Sequence, residues 1–271
     1  MADVLAQAPW VESARKAESD VRIALGLDPG LAEAHSTLSE VKYALDEFSE
    51  AEEEARKAIE LNPSLSDAYH IIAHFSWIKG DLVEGVKLCE TAHKLDPLKE
   101  EHTGMLAELY LEQGREDDAL KLWSSAEHIF PLTAYSGLIY YNLVKNDVTK
   151  ADEFLTKFRA AAGDGSTLSL ILEGMIEAYK GEKEKALETI AKIEQSSGQD
   201  TISVGSIGQI YYALGDMDKF FEYMNRAMDI HALPLGNLIN SPIYAKARKD
   251  PRFKELLGRV DLRIDLPPEA S

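Results

Sequence analysis

A proline recurs at a fixed distance along this chain: AIELNPSL places Pro63, HKLDPLK places Pro97 thirty-four residues later, and FPLT places Pro131 at the same distance again. Proline has no amide hydrogen to donate and restricts the residue before it, so a helix that meets one stops there. A period of 34 residues leaves room for two helices and two turns. Neither helix of such a pair can bury its apolar face alone, and stacking of successive pairs is the stable solution. The fold expected is therefore all-α, a right-handed α-solenoid of helix-turn-helix repeats.

The apolar spacing supports this unit by unit. In residues 32–65, Ala34, Leu38 and Val41 share one helix face, and Ala51, Ala55, Ala58 and Leu61 share another, with Asp46 at the turn between them. Residues 66–99 repeat the plan with Tyr69, Ile72 and Ala73, a Gly80-Asp81 turn, then Leu88, Ala92 and Pro97. Residues 100–133 repeat it with Leu106, Ala107, Tyr110, Gly114, Ala119, Ala126 and Pro131. These last six non-proline positions stand at the spacings of the tetratricopeptide repeat, and the chain resembles that family. The resemblance implies a fold and a set of packing positions, not an activity.

It continues with changes. In 132–166 the turn is Asn146-Asp147 and the closing proline gives way to AAGDGS; in 167–200 Gly174, Gly181 and Ala186 keep register and SSGQD closes the unit. In 201–234 Gly208, Tyr211, Gly215 and Ala227 return, but Phe220 replaces the usual small residue, which predicts a wider gap between the two helices or a local departure from the family's packing. Residues 1–31 read as an N-terminal cap or partial repeat, 32–234 as six repeats, and 235–271 as a C-terminal helical cap and tail. In that tail Ser241-Pro242 and Asp250-Pro251 are helix starts, and Tyr244, Phe253, Leu256, Leu257 and Leu262 are candidates to cover the last repeat. The run SPIYAKARKDPRFKELLGRVDL resembles the tail of such arrays in many prokaryotic signalling and regulatory proteins.

Charge narrows the partners. The formal charge is −18, which excludes sequence-independent binding of nucleic acid and disfavours an anionic membrane surface. It is concentrated early: residues 1–133 hold 27 Asp or Glu against 12 Lys or Arg, a balance of −15, whereas 242–263 hold seven basic against three acidic, a balance of +4. Head-to-tail homo-oligomers joining those opposite ends are a further expectation. The single cysteine, Cys89, needs no oxidising compartment. MADVLAQAPW lacks a positive stretch and a long apolar run, so no signal peptide is read. No apolar stretch approaches a membrane span, and a cytoplasmic protein is expected.

Catalytic and metal chemistry find little support. His70 and His74 stand one helical turn apart, but His70-Ile71-Ile72-Ala73-His74 lacks the glutamate of a metalloprotease; Glu40 and Glu108, in the corresponding places of the neighbouring repeats, are nearby third-ligand candidates in what stays a weak pattern. AAGDGST lacks the lysine of a phosphate loop, and Cys89 has no catalytic pattern around it. No metal, cofactor or enzymatic activity is expected.

The resemblance implies that first helices line a concave groove. Glu40, Tyr43, His70, His74, Trp77, Glu108, Leu111, Tyr140, Tyr179 and Tyr212 are its candidate binding residues, with Ser36, Glu101, Leu143, Met175 and Gln209 also expected to aim inward. Family members that hold acidic chaperone tails use inward lysines, arginine and asparagines; the matching places here hold Ser36, Glu40, His70, His74, Gly104 and Glu108. The expected partner is thus a protein or peptide presenting an apolar or basic segment. The alternative is a regulatory module that senses a peptide or small ligand for a prokaryotic signalling or transcription-regulating protein.

Overall fold

A computed structural model of the chain describes residues 9–163, 165–197, 201–230 and 235–259, and the regular elements among them are helical. Helix α1 (Pro9–Leu27) precedes six helix pairs: α2 (Ala32–Ala44) with α3 (Phe48–Leu61), α4 (Ser66–Ile78) with α5 (Leu82–Leu95), α6 (Glu100–Glu112) with α7 (Glu116–Ala126), α8 (Pro131–Val144) with α9 (Val148–Ala162), α10 (Thr167–Tyr179) with α11 (Lys183–Ser197), and α12 (Thr201–Ala213) with α13 (Met217–Asp229). Short elements follow: α14 (Leu235–Asn240), a 3-10 turn (Pro242–Tyr244), α15 (Ala245–Arg248) and α16 (Pro251–Leu257). This is an all-α solenoid plan of adjacent antiparallel pairs. Residues 1–8, the end of SSGQD, and Asp261, Leu262 and Arg263 lie outside the described residues.

Two recurring local devices set the period. Between the helices of each pair one residue takes a positive φ: Asp46 (57°), Gly80 (81°), Gly114 (81°), Asn146 (58°), Gly181 (75°) and Gly215 (80°). The following amide bonds back across the helix end, as in Asp81 N to Ser76 O at 2.8 Å and Asp216 N to Tyr211 O at 3.0 Å. This left-handed cap satisfies carbonyls that the helix leaves open, and glycine adopts it without steric cost while Asp and Asn tolerate it. Between pairs, the carboxylate or amide before the proline accepts a backbone amide two residues on: Gly30 from Asp28 (2.9 Å), Ser64 from Asn62 (3.1 Å) and Leu98 from Asp96 (3.1 Å). Each of these turns closes on its own side chain, which is why the signal is readable locally.

The structure divides into two compact units. The first holds the described residues up to Leu109, with Leu235–Asn240 and the segment from Leu257. Its helices approach closely over small residues: Ala51, Ala55, Ala58, Ala68 and Ala73 are fully buried, and Ser39 Oγ donates to Ala51 O at 2.6 Å. Lys42, 3% exposed, meets Glu18 (2.7 Å), Glu50 (2.9 Å) and Glu47. The Lys42 ammonium holds the Glu18 carboxyl down at about 2, which ties α1 to the first pair by charge.

The second unit comprises Tyr110 onward to the end of α13, with Ser241–Leu256. Its core runs from Ile139, Leu155 and Phe158 through Ile171 and Ile176 to Ile193, Ile210 and Ala227. Phe220 does not widen its helix pair; of the two expectations from its bulk, the local departure in packing is the one its neighbours fit. A Cβ on Gly208 would stand 2.4 Å from Met224 Cε and 3.5 Å from Phe220 O, so the helices are close. The Phe220 ring instead stacks at 6.2 Å on Tyr244 of the tail and lies 5.2 Å from Tyr212.

Candidate functional site

In the first unit, α2, α4 and α6 are first helices of successive pairs, and side chains from all three line a cleft of about 280 Å³. Its lining is Glu40 and Tyr43 from α2, Asp67, His70, Ile71 and His74 from α4, Lys99 from the preceding turn, and Glu101 from α6. The reason they meet is the repeat itself: residues one helical turn apart share a face, and a 34-residue period brings the equivalent faces side by side.

The wall is aromatic. Tyr43 packs edge-on against His74 at 5.0 Å and against Phe75 at 5.8 Å, with its hydroxyl 3.3 Å from the His74 ring nitrogens. Burial lowers His74 to about 4 and His70 to about 3, so both imidazoles are neutral at physiological pH. Buried Nδ1 of His70 has no hydrogen-bond partner among the described residues, while the ring lies 5.1 Å from that of His102.

The rim is charged. Lys99 pairs with Asp67, whose carboxyl is held well below the usual range by His102 first and by Lys99. Glu40 stands exposed at the rim; its carboxyl is raised by partial desolvation and then by Asp67, with Glu101 adding to it and Lys99 opposing.

Glu40, Tyr43, His70 and His74 are thus brought together with Glu101, also expected to aim inward, and Asp67, Ile71 and Lys99 complete the cleft although the sequence singles out none of these three. Asp67 and Glu101 follow Glu33 at 34-residue intervals in helix first turns, where acids ordinarily complement the helix dipole. That ordinary role hid Asp67. The repeat period applied to acids, not only to prolines, is the signal that finds it.

The remaining candidates have other neighbours. Trp77, 6% exposed, lies beneath α14: a Cβ on Gly236 would stand 2.6 Å from the indole, and Asn240 Nδ2 donates to Trp77 O at 2.6 Å. Glu108, outside the cleft lining, has its carboxyl raised by burial to about 7. In the second unit Leu111 is 7% exposed and packs as core. Tyr140 donates to Ser241 Oγ, and Tyr212 donates to Ile243 O at 2.8 Å while packing 5.0 Å from Tyr244. Burial raises the Tyr179 phenol to about 12, with Tyr212 adding to the shift. Tyr140 and Tyr212, read as open groove residues, therefore hold the chain's own tail.

Among the described residues no group of three or more His, Cys, Asp or Glu is placed to hold a metal ion, and no helix is long and apolar enough to cross a membrane. Cys89 is fully buried, its thiol pushed up to about 12 by that burial, and its sulfur lies 3.6 Å from His102 O.

Comparison with known proteins agrees with the architecture. The profile of the tetratricopeptide repeat matches residues 32–65 and 203–231. No curated protein matches the chain in sequence. Among solved structures, a tetratricopeptide repeat protein from Parabacteroides merdae is similar with a TM-score of 0.60 at 12% identity, covering 82% of this chain and 92% of that one. PilW, a widely conserved type IV pilus biogenesis factor, is similar at 0.57 and 17% identity, covering 73% and 91%. The APC/C hetero-tetramer Cut9–Hcn1 gives 0.56 at 13% identity, covering 90% of this chain and 52% of that one. At such identities the likeness is one of fold.

Proposed function

We propose, from the two segments that match the tetratricopeptide repeat and from the helix-pair fold, that the chain is a non-catalytic scaffold that binds a segment of another protein on the first-helix side of its N-terminal repeats. The fold supports protein–protein contact in general. The cleft between α2, α4 and α6 carries the more specific reading, because it joins an aromatic wall to a charged rim, the combination that anchors a side chain and fixes its orientation.

A second feature supports it. The face of α4 at Trp77 already takes a short helix of the chain itself, through close backbone approach at Gly236 and the Asn240 hydrogen bond. The acidity of the N-terminal half favours a basic or apolar segment over an acidic one. A sensing role is the second reading, favoured by α14: a ligand competing for Trp77 would change the position of a segment joined to the tail. We place the protein in the cytoplasm as part of this proposal, supported by a lone buried thiol that requires no oxidising environment.

A photo-crosslinking residue at Thr37, exposed on α2 one turn before Glu40 and outside the cleft lining, and another at Glu60, exposed on α3, test the reading in extracts of the source cell. Capture of one defined segment from position 37 and not from position 60 is the expected result. Equal capture from both, or capture from 60 alone, moves the interaction off this face.

A further inference from the structure

The cleft has a charge balance that its own residues leave unmet. Glu40, Asp67 and Glu101 bring three carboxylates to it, while Lys99 brings one cation already engaged by Asp67. No ion pair or hydrogen bond within the described residues holds Glu40 or Glu101. The histidines add no positive charge, since burial keeps both neutral, and His70 Nδ1 is buried and unpartnered in the lining. Such a group carries a desolvation cost until a ligand meets it. The acceptors Glu40, His70 Nδ1 and Glu101 stand on three different helices, beside the ring of Tyr43 and the apolar side chain of Ile71.

We propose that this cleft receives the guanidinium group of an arginine side chain presented by an extended partner segment, a deepening that rests on the groove reading above. A guanidinium spreads five donors in one plane, so it can serve Glu40, Glu101 and a histidine nitrogen together. Being weakly hydrated, it stacks on aromatic rings at small desolvation cost, and its methylene stem suits Ile71. An ammonium is compact and strongly hydrated, and reaches fewer of these separated acceptors. Arginine also leaves the Lys99–Asp67 pair intact, because Glu40 and Glu101 supply the charge it needs.

The test is an NMR titration of the full chain with acetyl-Gly-Arg-Gly-amide, following the imidazole signals of His70 and His74. The same peptide with citrulline removes the charge and keeps the shape; the peptide with lysine keeps the charge and changes the shape. Saturable shifts with arginine are expected, with at least tenfold weaker binding for citrulline, for lysine, and for arginine on Glu40→Gln or Glu101→Gln. Glu60→Gln on α3 is expected to leave binding unchanged, and thermal melts confirm that each exposed-site variant is folded. Citrulline or lysine saturating as well as arginine, no saturation with arginine, or unaltered binding to both cleft variants overturns the proposal. If a partner segment still crosslinks from position 37 while the arginine peptide fails, the arginine subsite is lost and the groove reading stands. If crosslinking fails there too, the groove reading itself is at fault.

Discussion

Gly137 shows how little room the helix pairs leave. A Cβ there would stand 2.3 Å from the Trp123 indole, and Trp123 is itself 1% exposed, so the ring has no space into which to retreat. Gly137→Ala is expected to destabilise the protein by about 1–3 kcal/mol, the usual cost of overpacking, read as a lower midpoint in chemical denaturation. Glu108 predicts the opposite sign at neutral pH. Its carboxyl is raised from 4.5 to about 7 by burial, so the folded chain holds that proton more tightly than the unfolded one. Stability therefore falls as pH rises from 4.5 to 7, and an ionised Glu108 remains a burden above that window. Glu108→Gln is expected to raise stability at pH 8 by about 1–3 kcal/mol, with the gain disappearing below pH 4.5; melting curves at the two pH values check it. These residues also mark what sequence conveys. Gly137 is an unremarked glycine in the chain because its constraint comes from Trp123 on another helix, whereas Gly80 and Gly114 announce themselves by recurring at turns.

The tail elements carry more of the structure than their length suggests. Tyr244, Phe253 and Leu256 are 1%, 0% and 2% exposed, and Arg252 joins Asp218 at 2.7 Å with its guanidinium 4.5 Å from the Phe221 ring. Burying such side chains is worth about 1.5–3 kcal/mol each. Truncation after Asn240 is expected to lower the melting temperature and promote aggregation by exposing Tyr212 and Phe220; an unchanged melt and a monomeric truncated chain would show that the tail is not a cap. The candidate cap residues Tyr244, Phe253 and Leu256 were legible, because Ser-Pro and Asp-Pro starts and apolar spacing are local. The tail's course was not. Tyr140 meets Ser241 across 101 positions and Trp77 meets Asn240 across 163, and no periodic pattern encodes a contact that occurs once. For the same reason Trp77, Tyr140 and Tyr212 could be assigned to first helices from sequence, but what covers them could not.

At the scale of the whole molecule the uneven charge governs encounter with a partner. The −15 balance of residues 1–133 is long-range attraction for a basic segment, screened within about 8–10 Å at physiological salt. Binding of a cognate segment is expected to weaken as ionic strength rises, mainly through slower association; stopped-flow measurements at low and high salt check this. The 34-residue period reveals the architecture because every unit repeats it, while the cleft is harder to read because each unit contributes different residues to it. The claim that these residues form the recognition surface is tested most directly by the dissociation constant of the segment crosslinked from position 37, measured for the native chain and for Glu40→Gln with Glu101→Gln. The account predicts roughly tenfold or greater weakening in the double variant, with an unchanged melt. An unchanged dissociation constant would contradict it.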